Sequence, residues 1–360
     1  MTDTDDLSLV VGGLTISGWN SLRVTRGIER CPSDFEFTMT ERYPGELSAA
    51  VITPGDACQV KLGNDVVVTG YVDRFAPSYA ASGGSAQHSI QVSGRGKCAD
   101  LVDCAAEWSS NQMSGVSALA IAQKLCKPYT GLSASAIGPV GAAIPQFNIM
   151  WGETAFEIIE RVCRYRALLV YDAPDGNLVL SGVGTQKAAC GFQEGVNVQS
   201  ASIVFSADQR YSEYVVRRMN TDNLAGTGIG GDILQTFPDP QIKRHRRRYI
   251  IAENGDTAGA DVALQRGAWE ASRRAGRSSQ VRLTTDNWRD SAGVLWTPNT
   301  LVKLELPSLH IATAEWLISE VSYKRDDAGT TAELIIMPPE AFNVEPLLLF
   351  PSFPDVKPGA

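Results

Sequence analysis

Histidine is nearly missing from this sequence of 360 residues: only His88, His245 and His310 occur, none with a second histidine or a cysteine at ligand spacing. Metal centres and histidine-based triads need such groups in clusters, so neither is expected. No GxSxG or HExxH string occurs either. The seven cysteines (Cys31, Cys58, Cys98, Cys104, Cys126, Cys163 and Cys190) are odd in number and contain no CxxC pair. That argues against a disulfide framework and a zinc knuckle, and reduced, buried thiols are expected. No apolar run approaches the ~18–20 residues that span a bilayer, so membrane insertion is not expected. The acidic opening, Met1 followed by Thr-Asp-Thr-Asp-Asp, lacks the positive and apolar regions of a secretory signal, and synthesis in the cytoplasm is expected. Positive charge is also in deficit. A formal net charge of -8 gives no global attraction to nucleic acid.

What is present reads as a folded chain of about two or three domains at roughly 100–200 residues each. Its 33 glycines and 18 prolines fall between short β-branched runs, favouring turn-rich β architecture. Residues 7–104 read as strands throughout, with Leu62-Gly63-Asn64-Asp65-Val66 as a hairpin turn. After Cys104 the texture changes. A helix capped by Ser114 or Ser117 runs to about Lys127, a second covers Trp151–Arg166, and strands Leu168–Tyr171 and Leu178–Leu180 follow. A further helix spans about Asp261 to Ala275, and strands resume from Val281 to Met337. This last stretch repeats the first: Thr53-Pro54 precedes Gln59-Val60-Lys61-Leu62 as Thr297-Pro298 precedes Leu301-Val302-Lys303-Leu304. The fold class read from the residues is therefore mainly β with an α+β insertion, two similar β domains, each a sandwich or barrel, flanking a helical α+β domain.

Candidate chemistry is thin. Gly226–Gly231 satisfies GxGxxG, but Asn220–Ala225 separate it from the strand Tyr214–Met219, and Asp232–Pro240 ends in Phe-Pro-Asp-Pro, so a loop is the better reading. Gly94-Arg95-Gly96-Lys97 is half a phosphate loop with Cys98 in the place of a magnesium-binding hydroxyl. The carboxylate pairs Glu157/Glu160 and Asp326/Asp327 fall on a helix flank and in a hairpin turn, where solvated surface is expected. No catalytic residue, metal site or cofactor is assigned.

Two segments stand out. Lys243-Arg244-His245-Arg246-Arg247-Arg248 is a basic run in an acidic chain. It can pair with carboxylates of its own or a neighbouring chain, line a channel, or touch DNA. An arginine-rich segment among many carboxylates favours pairing, which makes Arg244, Arg246 and Arg248 candidate subunit or partner contacts. At the other end, Pro338-Pro339 closes the last strand and Pro346, Pro351, Pro354 and Pro358 hold the tail extended. It carries Leu347, Leu348, Leu349, Phe350 and Phe353, an apolar run expected to dock on a neighbouring subunit or another partner, the alternative being its own β domain.

Several strings together resemble one family: Gly94-Arg95-Gly-Lys-Cys-Ala-Asp100-Leu-Val-Asp103-Cys104, Trp151-Gly-Glu153-Thr-Ala-Phe156 and Leu295-Trp296-Thr-Pro298-Asn299. They resemble the baseplate hub proteins of Mu-like contractile-tailed phages, which are similar in fold to myophage hubs and to the base of the type VI secretion spike. The resemblance covers the chain in order, from Leu7–Gly18 to Met337–Ala341. It implies two similar antiparallel β-barrel-like tube domains per chain and a homotrimer, so that six similar domains match a sixfold tail tube above a threefold spike. The implied partners are the tail spike protein, the tail tube and other baseplate proteins. No sequence-specific nucleic acid is among them. The implied location is the virion tail baseplate, assembled in the bacterial host cytoplasm. By that analogy the first tube domain is 1–104, the α+β domain combines 105–198 with 241–279, the second tube domain combines 199–240 with 280–340, and 341–360 is an extended tail. The expected function is structural, joining spike to tube without catalysis. The rivals are a cell-envelope glycan hydrolase, which would need two carboxylates in a cleft, and a receptor-binding tail protein, which would carry aromatic-rich surface loops.

Overall fold

The computed structural model describes residues 7–40, 52–82, 85–108, 112–164, 166–218, 232–252, 257–327 and 329–343. It is mostly β with a few helices. The first seven strands are β1 (Leu7–Val11), β2 (Leu14–Ile16), β3 (Ser21–Gly27), β4 (Asp34–Thr40), β5 (Ala57–Leu62), β6 (Asp65–Ser82) and β7 (Ser85–Gly96). They pair antiparallel in the order β3-β4-β7-β6-β5-β1-β2. Alternation at period two sends Leu7 and Leu9, Phe35 and Phe37, and Val60 and Leu62 into one core. At the β5–β6 turn Leu62 pairs with Asp65 across Gly63-Asn64, and Gly63 takes φ 60°, which glycine enters without steric cost. The run is not strand throughout: α1 (Ala99–Asp103) follows β7 and buries Ala99 and Leu101.

An α+β unit comes next. It holds β8 (Gln112–Val116), α2 (Ala118–Cys126), β9 (Ala134–Ile137), β10 (Ile144–Asn148), α3 (Ala155–Arg164), β11 (Leu169–Asp172) and β12 (Leu178–Ser181). Ser117, rather than Ser114, caps α2, accepting the Ala120 N–H at 3.2 Å. The second helix starts at Ala155 rather than Trp151, because Thr154 and Glu157 exchange reciprocal bonds that close its first turn there. Its buried stripe, Ile158, Ile159, Val162 and Cys163, packs with Ile121 and Leu125 of α2 in a core separate from the first.

The remaining elements are β13 (Phe192–Gln193), β14 (Ser200–Phe205), β15 (Glu213–Arg218), β16 (Asp232–Pro238), β17 (Arg247–Ala252), α4 (Thr257–Arg277), β18 (Ser279–Thr285), β19 (Leu301–Leu306), β20 (Ile311–Asp326) and β21 (Gly329–Met337). Strands β16-β15-β17 form a sheet of their own, packed on α4. Two expectations change here. Asp232–Pro238 is a strand rather than loop, its Phe237 resting on the small core of Tyr214, Val216 and Ile250. The division drawn at residue 240 also runs through this sheet, since β17 pairs parallel with β15. The GxGxxG segment lies outside the described residues.

The internal repeat is written in the hydrogen bonding. The second half pairs in the order β14-β18-β21-β20-β19, matching β3-β4-β7-β6-β5 strand for strand, whereas at the outer edge β13 runs parallel to β19 where β1 runs antiparallel to β5. Both long strands carry a bulge at the same place, between Val72 and Arg74 of β6 and between Ile318 and Glu320 of β20. The Thr-Pro turns agree in detail. Gly55 donates to the Val72 carbonyl at 2.7 Å and Asn299 to the Ile318 carbonyl at 2.9 Å, each from a residue at positive φ. This register aligns Val60 with Leu304, two residues away from the sequence match, which aligned Val60 with Val302. The halves are also joined. β3 pairs with β20, giving one 13-stranded sheet and one shared core among the described residues.

Candidate assembly surfaces

The phosphate-loop string serves packing. A Cβ on Gly94 would lie 2.5 Å from the Phe35 ring, and one on Gly96 would lie 2.5 Å from the Asp172 carboxylate. Between them Arg95 binds Asp73 and Asp103 on the surface, and its hydrogen bond holds the Asp103 carboxyl below the usual carboxylate range. Asp172 is the polar hinge between the first β half and the α+β unit. It is only 3% exposed and accepts the Ser33 backbone N–H at 2.9 Å and the Ser33 hydroxyl at 2.8 Å. Burial pushes its carboxyl above the usual range, although the Ser33 bonds pull the other way. Asn299 does the same for the second half. Its amide accepts from Gly184 N–H at 2.7 Å and donates to Ser181 Oγ and the Gly182 carbonyl, both at 3.1 Å.

The basic run does not form one strand. Only Arg247 and Arg248 enter β17, while Lys243–Arg246 precede it. Arg246 donates to the carbonyls of Ala207 and Asp208 at 2.6 and 2.7 Å. Arg247 pairs with Glu213 at 2.7 Å, and Arg248 pairs with Glu270 of α4 at 2.6 Å. Glu270, 8% exposed, also takes Arg274 at 2.8 Å. The Tyr211 ring is faced by the guanidinium groups of Arg246, Arg248 and Arg274, between 4.9 and 5.6 Å from its centre. Arg246 and Arg248 thus each have partners within their own chain while staying half-buried, and Arg244 is exposed.

The last strand ends at Met337, but Pro339–Phe342 then forms a short 3₁₀ turn instead of running extended. Phe342 is fully buried, and Trp269 Nε1 and Arg273 Nη1 of α4 both bind the Asn343 carbonyl, at 2.7 and 2.6 Å. A Cβ on Gly276 would lie 2.4 Å from Ala341 N, so only glycine lets α4 approach this closely. Leu347, Leu348, Leu349, Phe350 and Phe353 lie outside the described residues.

Exposed apolar side chains also stand elsewhere on the described surface. Trp151, read from sequence as part of a helix, stands on a turn at 88% exposure beside the exposed Met150. On β14, Val204 and Phe205 are 61% and 58% exposed. Three thiols depart from the expected burial: Cys104 is exposed, and Cys31 and Cys190 are half-buried.

Of the carboxylates considered for glycan chemistry, Asp326 ends β20 and Asp327 stands exposed in the turn after it, while the helical pair is engaged. Glu157 closes the α3 cap, and Glu160 pairs with Arg164 at 2.6 Å. A cleft between α3 and α4 is lined by Phe156, Glu160, Arg164, Trp269 and Arg273. No described helix is long and apolar enough to cross a membrane.

Comparison with known proteins agrees with this architecture. Residues 6–96 match the family described as Mu phage baseplate assembly protein GpP-like, N-terminal, and residues 98–182 match the second domain of gp44-like baseplate hub proteins. Residues 259–345 match the fourth domain of Mu phage baseplate assembly protein GpP. The chain is 30% identical over 354 residues to baseplate hub protein gp44 of Escherichia phage Mu, covering 95% of this chain and 90% of that protein. It superposes on the crystal structure of a 43 kDa tail protein of prophage MuSo2 from Shewanella oneidensis with TM-score 0.82 and 32% identity, over 94% of this chain and all of that one. The E. coli c3393 protein, a component of the type VI secretion system, shares the fold at TM-score 0.56 and 10% identity, over 95% of this chain and 80% of that one. The chain belongs to the gp44-like family of Mu-type phage baseplate hub proteins.

Proposed function

We propose that the chain is the structural hub of a contractile phage or prophage tail baseplate, a homotrimer that joins a threefold central spike to a sixfold tail tube, without catalysis of its own. The observation that carries this is the strand-for-strand repeat of two β halves. A trimer of a duplicated domain presents three equivalent chains on one side and six equivalent domains on the other. Family membership supports the tail baseplate as its place. Glu157 and Glu160 are tied into a cap and an ion pair, and no observation favours the glycan hydrolase reading.

The division into tube and α+β domains, the docking of the 341–360 tail on a neighbour or the spike, and the subunit role of Arg244, Arg246 and Arg248 belong to this proposal. Purified protein examined by light scattering and electron microscopy should give a trimeric annulus that retains the spike protein in a pull-down. A monomer at high concentration, or peptidoglycan degradation by clean protein, would overturn the reading. Replacing Arg246 and Arg248 with Ala should weaken assembly. Unchanged assembly with loss of DNA binding at low salt would favour the channel reading.

A further inference from the structure

We infer that the open edge of β6 in one copy pairs antiparallel with the open edge of β14 in a second copy, in the register that β20 and β3 already use within one chain. The inference rests on the self-assembling hub reading and names the contact by which copies join. Inside the chain the two halves meet at a strand joint, where Glu320–Arg325 of β20 lie opposite Gly27–Leu22 of β3. In the repeat, β6 is the counterpart of β20 and β14 is the counterpart of β3. Both counterparts are open on the equivalent side among the described residues. β5 covers β6 only from Asp65 to Tyr71, leaving Arg74–Ser82 with β7 alone, and β14 pairs with β18 alone. A joint made once inside each chain, whose twin halves stand open at its two ends, is the arrangement that propagates head to tail and closes into a ring.

Burial points the same way. Thr25 and Arg26 of the paired β3 are 2% and 6% exposed, whereas their counterparts Val204 and Phe205 on β14 are 61% and 58% exposed. The sequence of β14, Ser-Ala-Ser-Ile-Val-Phe, also carries none of the charges or prolines with which open edges ward off pairing.

Transferring the register places Arg74 opposite Ser206, Phe75 opposite Phe205, Ala76 opposite Val204, Pro77 opposite Ile203, Ser78 opposite Ser202 and Tyr79 opposite Ala201. Phe75 already packs against the main core, so a Phe75–Phe205 pair continues that core across the joint. Arg74 is the only charge in these six pairs, so no like charges oppose one another. Pro77 has no N–H to give, which leaves the ladder at most one bond short.

Engineered cysteines test the register directly. On a Cys104→Ser background, Ala76→Cys with Val204→Cys and, separately, Phe75→Cys with Phe205→Cys cover two neighbouring pairs. One of these has the close, non-hydrogen-bonded geometry. One double variant should give chain-to-chain disulfides after oxidation, while the single variants and Ala76→Cys with Ser200→Cys should not. If light scattering shows an oligomer and neither pair links, the strand joint is overturned while self-assembly stands; a monomer overturns both. Val204→Glu should raise the assembly dissociation constant at least tenfold with an unchanged melting temperature of the separated chains, and adding Ala76→Lys should restore it. Full assembly of Val204→Glu would also overturn the joint.

Discussion

Asp172→Ala is expected to loosen the first β half from the α+β unit. The parent carboxylate takes two donors from Ser33, whose residue is itself buried. Alanine leaves the Ser33 backbone N–H without its acceptor, at about 1–3 kcal/mol, and removes a hydroxyl bond to a charged group worth about 1.5–3 kcal/mol. Relief of the buried carboxylate's desolvation offsets part of this, leaving a net loss of about 2–4 kcal/mol. Hydrogen exchange at the Ser33 amide reads the effect locally, and protection should fall by a factor of about 30 to several hundred at about 1.4 kcal/mol per decade. Asp172→Asn keeps one acceptor and should lose less. It should also remove a pH dependence. Burial raises the folded-state pKa, so the folded protein holds this proton more firmly than the unfolded chain does. The resulting stability is complete below the unfolded value of about 3.9 and disappears as pH rises through the raised folded value. The parent's advantage over Asp172→Asn should narrow across that window and stay flat above it. Unchanged Ser33 exchange in Asp172→Ala would refute the hinge.

Gly276→Ala should lower the melting temperature despite alanine's ~1 kcal/mol advantage in a helix, because the added methyl meets the Ala341 backbone; a raised melting temperature in calorimetry would contradict this. Glu270→Ala should destabilise the α4–β17 contact by about 1–3 kcal/mol by stranding Arg248 and Arg274, and a urea midpoint equal to the parent's would count against it. Phe342→Ala should cost about 3–5 kcal/mol. Deleting residues 345–360 should leave the melting temperature of the separated chain unchanged while trimer or spike binding is lost; the opposite pattern refutes docking of the tail.

Legibility in the sequence followed the physics of each element. Strands with one buried face announced themselves by alternation, as Phe35 and Phe37 do, and the Gly63-Asn64 turn by residues that accept positive φ. The reach of β6 to Ser82 had no signal of its own within that stretch, because Pro77, Ser78 and Ala80 have no buried face to create a pattern. β16 was hidden by the prolines at its end. The repeat was found but slipped by two residues, since a period-two pattern fits equally well after such a shift and only the hydrogen-bond ladder chooses. The basic run was recognised as an anomaly. Its partner Glu270 lies on a helix that no local signal links to it. Asp172 and Asn299 gave no warning either, because a single polar residue becomes a hinge only once the fold has buried it.

The β3–β20 joint has a consequence for the order of synthesis. Thr25 and Ser322 meet across it at 2.9 Å, although 297 positions separate them in the chain. The first half can therefore lay down β1 to β7 early, yet the free side of β3 waits for nearly the whole protein to leave the ribosome. Such distant pairing is slow to form, and an unpaired strand is a template for misassembly in the meantime. A chain cut off before Ile311 would keep the β3 edge bare and offer wrong partners a surface that the finished protein conceals. Completion of the last strands is thus the step that makes the subunit fit to be built into a larger object.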